Sequence, residues 1–279
     1  MMTRLRTERN ELDVTVTGEG EPVLMIHGGL LVDTFEVLRA EPALADNFKL
    51  ISYHRHGHGR SSRGQEPYSV ANSAADAADV LREVGAERAH VVGHSRGGAD
   101  ALQLALDHPE AVQSLALLEA AVPTQGIQQV MEAVFTPVAD AYSAGDRSGA
   151  VQRFCQGIGG EHYREVLDRA LPVGWFEQAM ADVDTLFTVD LPRFPQWVFG
   201  EAQARQISQP VLLVVGGESP PAFHDHHETL KKWFPQAEEY VLPGADHLQQ
   251  MANPGDMAQR LASFAAAHPI EAYAGRADR

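Results

Sequence analysis

One segment constrains this chain more than any other: His90-Val91-Val92-Gly93-His94-Ser95-Arg96-Gly97-Gly98. A β-branched apolar run ends in Gly-x-Ser-x-Gly. Apolar residues at helical spacing follow at once, at Ala99, Leu102, Leu104, Ala105 and Leu106. A strand, a sharp turn and a helix with serine at the apex make a nucleophile elbow, in which a strained backbone lifts the hydroxyl above a sheet edge. Gly93 and Gly97 leave room where strand and helix crowd each other. The motif is short, so its weight rests on the strand before it and the helix after it.

The rest of the chain repeats that alternation. Strand-like runs lie at Leu12 to Thr17, Val23 to Ile26, Phe48 to Tyr53, Ala89 to Val92, Val112 to Leu118, Pro210 to Val215 and Glu239 to Leu242. Helical patterns lie at Val70 to Val84, Ala99 to Leu106, Phe223 to Phe234 and Asp256 to Ala266. Alternating strands and helices predict an α/β fold, a mostly parallel sheet flanked by helices on both faces. Such sheets bind ligands at the carboxyl ends of their strands. His27, Ser95, Glu119 and Glu218 all follow strands at that edge.

From about Val122 to Gln206 the alternation stops and the pattern is mainly helical. Insertions of this length usually serve function. We read 122–206 as a helical cap over a core made of 1–121 and 207–279. Its aromatic residues, Trp175 and Trp197 among them, are expected both to fill its own small core and to line a pocket.

A net charge of −16 disfavours a nucleic-acid or anionic-membrane partner. Cys155 is the only cysteine, so no internal disulfide can form. Met1 to Glu11 is polar, without a signal-peptide core, and no apolar run is long enough to span a membrane. The expected compartment is the cytoplasm and the expected partner a small-molecule substrate. Nothing in the sequence sets the oligomeric state.

A serine hydroxyl is a weak nucleophile at neutral pH and needs a base within hydrogen-bond reach, with a third group to fix the base's tautomer. The elbow type has the chain order Ser, acid, His. His247, in Pro243-Gly244-Ala245-Asp246-His247 after the last strand, stands where the base belongs. Two carboxylates compete for the acid. Glu119 directly follows the apolar strand Leu115 to Leu118, where a carboxylate needs a partner, and Glu218 lies in Gly216-Gly217-Glu218-Ser219-Pro220.

Over nearly its whole length the chain resembles the α/β-hydrolase superfamily. The matching pieces are His27-Gly28-Gly29, Gly57-His58-Gly59-Arg60-Ser61, Gly93 to Gly98, Pro210 to Gly216 and Pro243 to His247. Members usually carry Gly-x-x-Asp after the seventh strand, and here Ser219 takes the Asp slot. Some branches, including haloalkane dehalogenases and zearalenone-type lactonases, instead use a Glu after the sixth strand. Glu119 stands 24 residues after Ser95, the spacing of those branches. The resemblance therefore implies a serine-nucleophile, lactonase- or esterase-like branch with Glu119 as acid, ahead of Glu218.

Relatives with Asp at the elbow form alkyl-ester intermediates, whereas serine suits acyl transfer. The oxyanion then needs preorganised N–H donors, expected from the backbone of Gly29 and Arg96. Gly28, Leu30, Trp175 and Trp197 are the expected substrate contacts. The Arg96 side chain is compatible with a loop network or with the surface. No cofactor is required.

Many members carry Asp-x-Arg-Gly-x-Gly-x-Ser after the second core strand. Here His54 and His56 occupy the Asp and Arg slots, which removes the basis for an ion pair between them. His54, His56 and His58 have no cysteine or acidic residue close by, and His-Asp-His-His at 224–227 opens a helix, so no metal site is expected at either. The 224–227 histidines are expected to be solvated. The expected reaction is hydrolysis of an ester or lactone. The alternatives are carbon–carbon bond hydrolysis or perhydrolysis by the same triad, or a ligand receptor on the same fold.

Overall fold

The computed structural model describes residues 2–7, 9–64 and 68–271. Its strands are Met2–Arg6 (β1), Glu11–Thr17 (β2), Glu21–Ile26 (β3), Phe48–Tyr53 (β4), Ala89–His94 (β5), Val112–Leu118 (β6), Val211–Gly216 (β7) and Glu238–Leu242 (β8). They form one sheet in the order β1-β2-β4-β3-β5-β6-β7-β8. β2 pairs antiparallel with β1 and β4, and all pairings from β4 to β8 are parallel. β1 has no counterpart in the sequence reading, because Thr3-Arg4-Leu5-Arg6 offers a polar edge strand little apolar alternation.

Period-two alternation divides the core between the two faces of the sheet. Leu24, Ile26, Val91, Leu115, Leu117 and Leu213 face one cluster. There they meet helices Val70–Glu83 (α1) and Arg96–Asp107 (α2) through Ala74, Ala77, Ala101 and Leu102. Val23, Met25, Val92, Ala116, Leu212 and Val214 face the other cluster. There the C-terminal helix Pro254–Ala267 packs through Met257, Leu261 and Phe264. Each fully buried Leu or Met contributes about 1.5–3 kcal/mol, so these two faces carry much of the driving force.

Between β6 and β7 the described chain is helical, with no strand. The main helices are Gln125–Ser143 (α3), Arg147–Gly159 (α4), Tyr163–Ala170 (α5) and Trp175–Thr185 (α6), continued by a π-helical turn at Leu186–Asp190. They share an apolar cluster of their own, built on Val138, Val151, Leu167 and Val183. Leu30, Leu248 and Met251 join that cluster from segments at the sheet edge, so the inserted helices rest on the carboxyl ends of the strands. Among the described residues no helix is long and apolar enough to cross a membrane.

Candidate active site

Crowding at the elbow begins with two glycines. A β-carbon at Gly97 would lie 2.2 Å from the Ile26 carbonyl oxygen, and one at Gly98 2.3 Å from the Ala120 β-carbon. Only glycine lets α2 start so close to the ends of β3 and β6. Ser95, between strand and helix, has φ 53° and ψ −120°. Its amide donates to Leu118 O at 3.0 Å, and its carbonyl accepts from Ala121 N at 2.8 Å. Its side chain caps no amide of α2. Among the described non-glycine residues, only Leu30, Ser95 and Glu119 have positive φ, and all three cluster at this sheet edge. Strain so placed marks functional sites.

Glu119 follows β6 with its carboxylate buried. One oxygen, Oε2, lies 2.5 Å from His247 Nδ1. The other, Oε1, accepts from the Gly216 amide at 2.9 Å and from the Ser219 hydroxyl at 2.6 Å. Ser219, in the slot usually held by Asp, therefore hydrogen-bonds the carboxylate of Glu119. Glu218 is exposed, and its amide donates to Ala245 O at 2.8 Å.

His247 is buried, with its ring stacked on Phe223 at 4.7 Å. Bonded through Nδ1–H to Glu119, a neutral imidazole carries no proton on Nε2, which is then an acceptor. His94, the residue before the serine, bonds through Nε2 to the carbonyl of His247 at 2.9 Å. Burial, reinforced by His247, pushes the His94 pKa well below the usual range, so that ring stays neutral. Ser95, Glu119, His247, Gly29 and Arg96 line one cavity of about 70 Å³. Arg96 is the first residue of α2, so its amide has no partner inside the helix.

Apolar side chains from the inserted helices close this cavity, among them Val130, Met131, Phe135, Phe154 and Leu186. Phe194 and Phe223 complete the aromatic wall. Trp175 and Trp197 do not line it. The Trp175 indole donates to Asp168 at 2.8 Å, and that of Trp197 to Gln103 at 2.8 Å. An indole N–H seeks a polar partner, and here that need turns both rings elsewhere. Gly28 lies against Ser95, where an added β-carbon would stand 3.2 Å from the serine β-carbon. Leu30 is buried among the inserted helices rather than in the cavity wall.

A buried charge network underlies the site. Arg55, 2% exposed, bonds Asp190 Oδ1 through Nη2 at 2.6 Å and holds Nε 3.0 Å from Asp100 Oδ2. Asp100 also pairs with Arg96, whose guanidinium lies 5.3 Å from the centre of the Phe194 ring. The Arg96 side chain thus belongs to a buried network and not to the surface. Burial would raise the Asp190 pKa, but Arg55, His58 and Arg96 outweigh it and hold it at about 2. Removing one partner from a buried pair of this kind costs about 3–5 kcal/mol. The ion pair missing from the His54 and His56 slots is replaced by one on Arg55. His54 turns instead to Asp33, at 2.9 Å. His226 and His227, expected to be solvated, are buried. His226 Nε2 meets Ala120 O at 2.8 Å, and desolvation lowers its pKa to about 4.

Comparison with known proteins agrees with this architecture. Residues 21–254 match the family model for the alpha/beta hydrolase fold. The chain belongs to the α/β-hydrolase fold family. A fluoroacetate dehalogenase of Burkholderia sp is 35% identical over 118 residues, 40% of this chain and 38% of that protein. The chain spans under two fifths of the length of the first curated relatives that it matches. The naproxen esterase (carboxylesterase NP) from Bacillus subtilis superposes with a TM-score of 0.76 at 21% identity, covering 95% of this chain and 90% of that one. Est816, described as an N-acyl homoserine lactone degrading enzyme, gives a TM-score of 0.71 at 22% identity, covering 94% of this chain and all of the other. These two likenesses are likenesses of fold.

Proposed function

We propose that this α/β-hydrolase is a serine hydrolase that cleaves a carboxylic ester or lactone of a small apolar or ring-bearing molecule through an acyl-enzyme on Ser95. The observation that carries the reading is the 2.5 Å contact of Glu119 with His247 beside the cavity that Ser95 also lines. The esterase and the lactone-degrading enzyme that share the fold support the substrate class. Residues 122–206 act as the cap over a core of 1–121 and 207–279, and the apolar wall they supply favours an apolar substrate. The charge and the absence of a long apolar helix among the described residues fit a cytoplasmic enzyme.

In this reading Ser95 Oγ attacks the carbonyl carbon while His247 Nε2 takes its proton. Glu119 fixes the imidazole tautomer through Nδ1–H and stabilises the imidazolium that forms. The amides of Gly29 and Arg96 hold the oxyanion. As the tetrahedral adduct collapses, His247 returns the proton to the leaving oxygen. Water, deprotonated by His247, then attacks the acyl-enzyme, and the acid departs as Ser95 recovers its proton. The wild-type protein should hydrolyse p-nitrophenyl butyrate and at least one small lactone, with release of acid measured by titration. Cleavage of a carbon–carbon bond in a diketone, with inert esters, would replace the reading by the other triad chemistry. Ligand-induced stabilisation without turnover would make the protein a receptor.

A further inference from the structure

The cavity residue Gly29 shares a peptide bond with Gly28, and the Gly28 carbonyl is held from two sides. His27 Nδ1 lies 2.8 Å from it, and Arg55 Nη1 donates to it at 3.1 Å. A planar trans peptide directs C=O and N–H to opposite sides, so whatever fixes the Gly28 oxygen also aims the Gly29 N–H. Arg55 acts on this peptide twice. Its backbone N–H donates to His27 Nε2 at 2.9 Å, which leaves the ring proton on Nδ1, the atom facing Gly28 O. Burial, then the nearby Arg55 charge, pushes the His27 pKa well down, so Nε2 stays an acceptor.

Asp190 of the cap accepts from Nη2 at 2.6 Å and from Nη1 at 3.4 Å, and Asp100 of the elbow helix lies 3.0 Å from Nε as an ion-pair partner, so the guanidinium is held beside that carbonyl. Asp190 belongs to the π-helical turn, and such turns often mark functional positions. We propose that Arg55 is a positioning residue that aims the oxyanion-binding amide of Gly29, and that Asp190 ties this aim to the seating of the cap. The proposal rests on the serine-hydrolase reading above. Lysine at 55 keeps the charge but has no fork to reach Gly28 O, Asp100 and Asp190 at once.

The test is binding of butylboronic acid, in which the Ser95 oxygen adds to boron, its proton passes to His247, and one boronate oxygen occupies the oxyanion site. Losing an oxyanion donor outright typically costs 100- to 1000-fold, and misaiming one costs less. Arg55→Lys should therefore bind the boronate about tenfold more weakly and hydrolyse p-nitrophenyl butyrate with kcat about 10- to 100-fold lower and KM within about threefold of wild type. A purely structural role would lower the melting temperature and the fraction of active sites while leaving boronate affinity and kcat per site unchanged. That result overturns the proposal. Should Arg55→Lys fail to fold, Asp190→Asn carries the test, with weaker boronate binding expected and unchanged affinity contradicting it. Wild-type protein that binds no boronate, or Ser95→Ala that binds it equally well, overturns the serine-hydrolase reading and this inference with it.

Discussion

Ser95→Ala should abolish ester hydrolysis, lowering kcat by about 10⁴- to 10⁶-fold while the protein stays folded. The large effect follows from the chemistry: without Oγ no acyl-enzyme forms, and only oxyanion stabilisation and binding remain. Folding should be spared because residue 95 bonds β6 and the loop after it through its backbone, to Leu118 O and from the Ala121 amide. Its side chain caps no helix amide. The φ of 53° is costly for serine and alanine alike, so the exchange leaves that strain in place. Comparison of kcat with circular dichroism on the same preparations checks both halves. Equal activity in the two proteins would remove Ser95 as nucleophile.

Glu119→Gln should cost about 10³- to 10⁴-fold in kcat. The amide oxygen can still accept from the Gly216 amide and the Ser219 hydroxyl, which now bond Oε1 at 2.9 and 2.6 Å. The amide NH₂ then faces His247 Nδ1 and forces it to be an acceptor. The ring proton moves to Nε2, the atom that must receive the proton of Ser95. Glu218→Gln should change kcat by less than about twofold, because the side chain is exposed and exchange of a solvated surface group seldom matters. A crippled Glu218→Gln beside an active Glu119→Gln would transfer the role of acid to Glu218.

Much of this arrangement was legible because its signals are local. The apolar run before Gly93, the helical spacing after it and the loop after β8 each occupy a few consecutive residues. Topology then brings their ends to one edge. Glu119 stood out because a carboxylate directly after Leu115 to Leu118 must find a partner. What stayed illegible depends on distant segments. Asp190 reaches Arg55 across 135 residues, and no local period announces that meeting. The place of the Arg96 side chain, in a network and not on the surface, depends on Asp100 one helical turn on and on the burial of α2 against the sheet. Trp175 and Trp197 look like pocket aromatics by size, but their N–H groups are claimed by Asp168 and Gln103. His226 and His227 read as solvated from composition alone, yet Ala120 O and Thr124 give His226 the partners that burial demands.

The proposed reaction requires an acyl group carried on one serine. It is tested most directly by acid-quenching the enzyme during turnover of p-nitrophenyl butyrate and weighing the intact protein and its proteolytic peptides. The expected result is the mass increase of one butyryl group in place of the hydroxyl hydrogen, confined to the peptide that contains Ser95 and missing from Ser95→Ala. Turnover with no acylated species at any quench time, or a butyryl group on another residue, would contradict it.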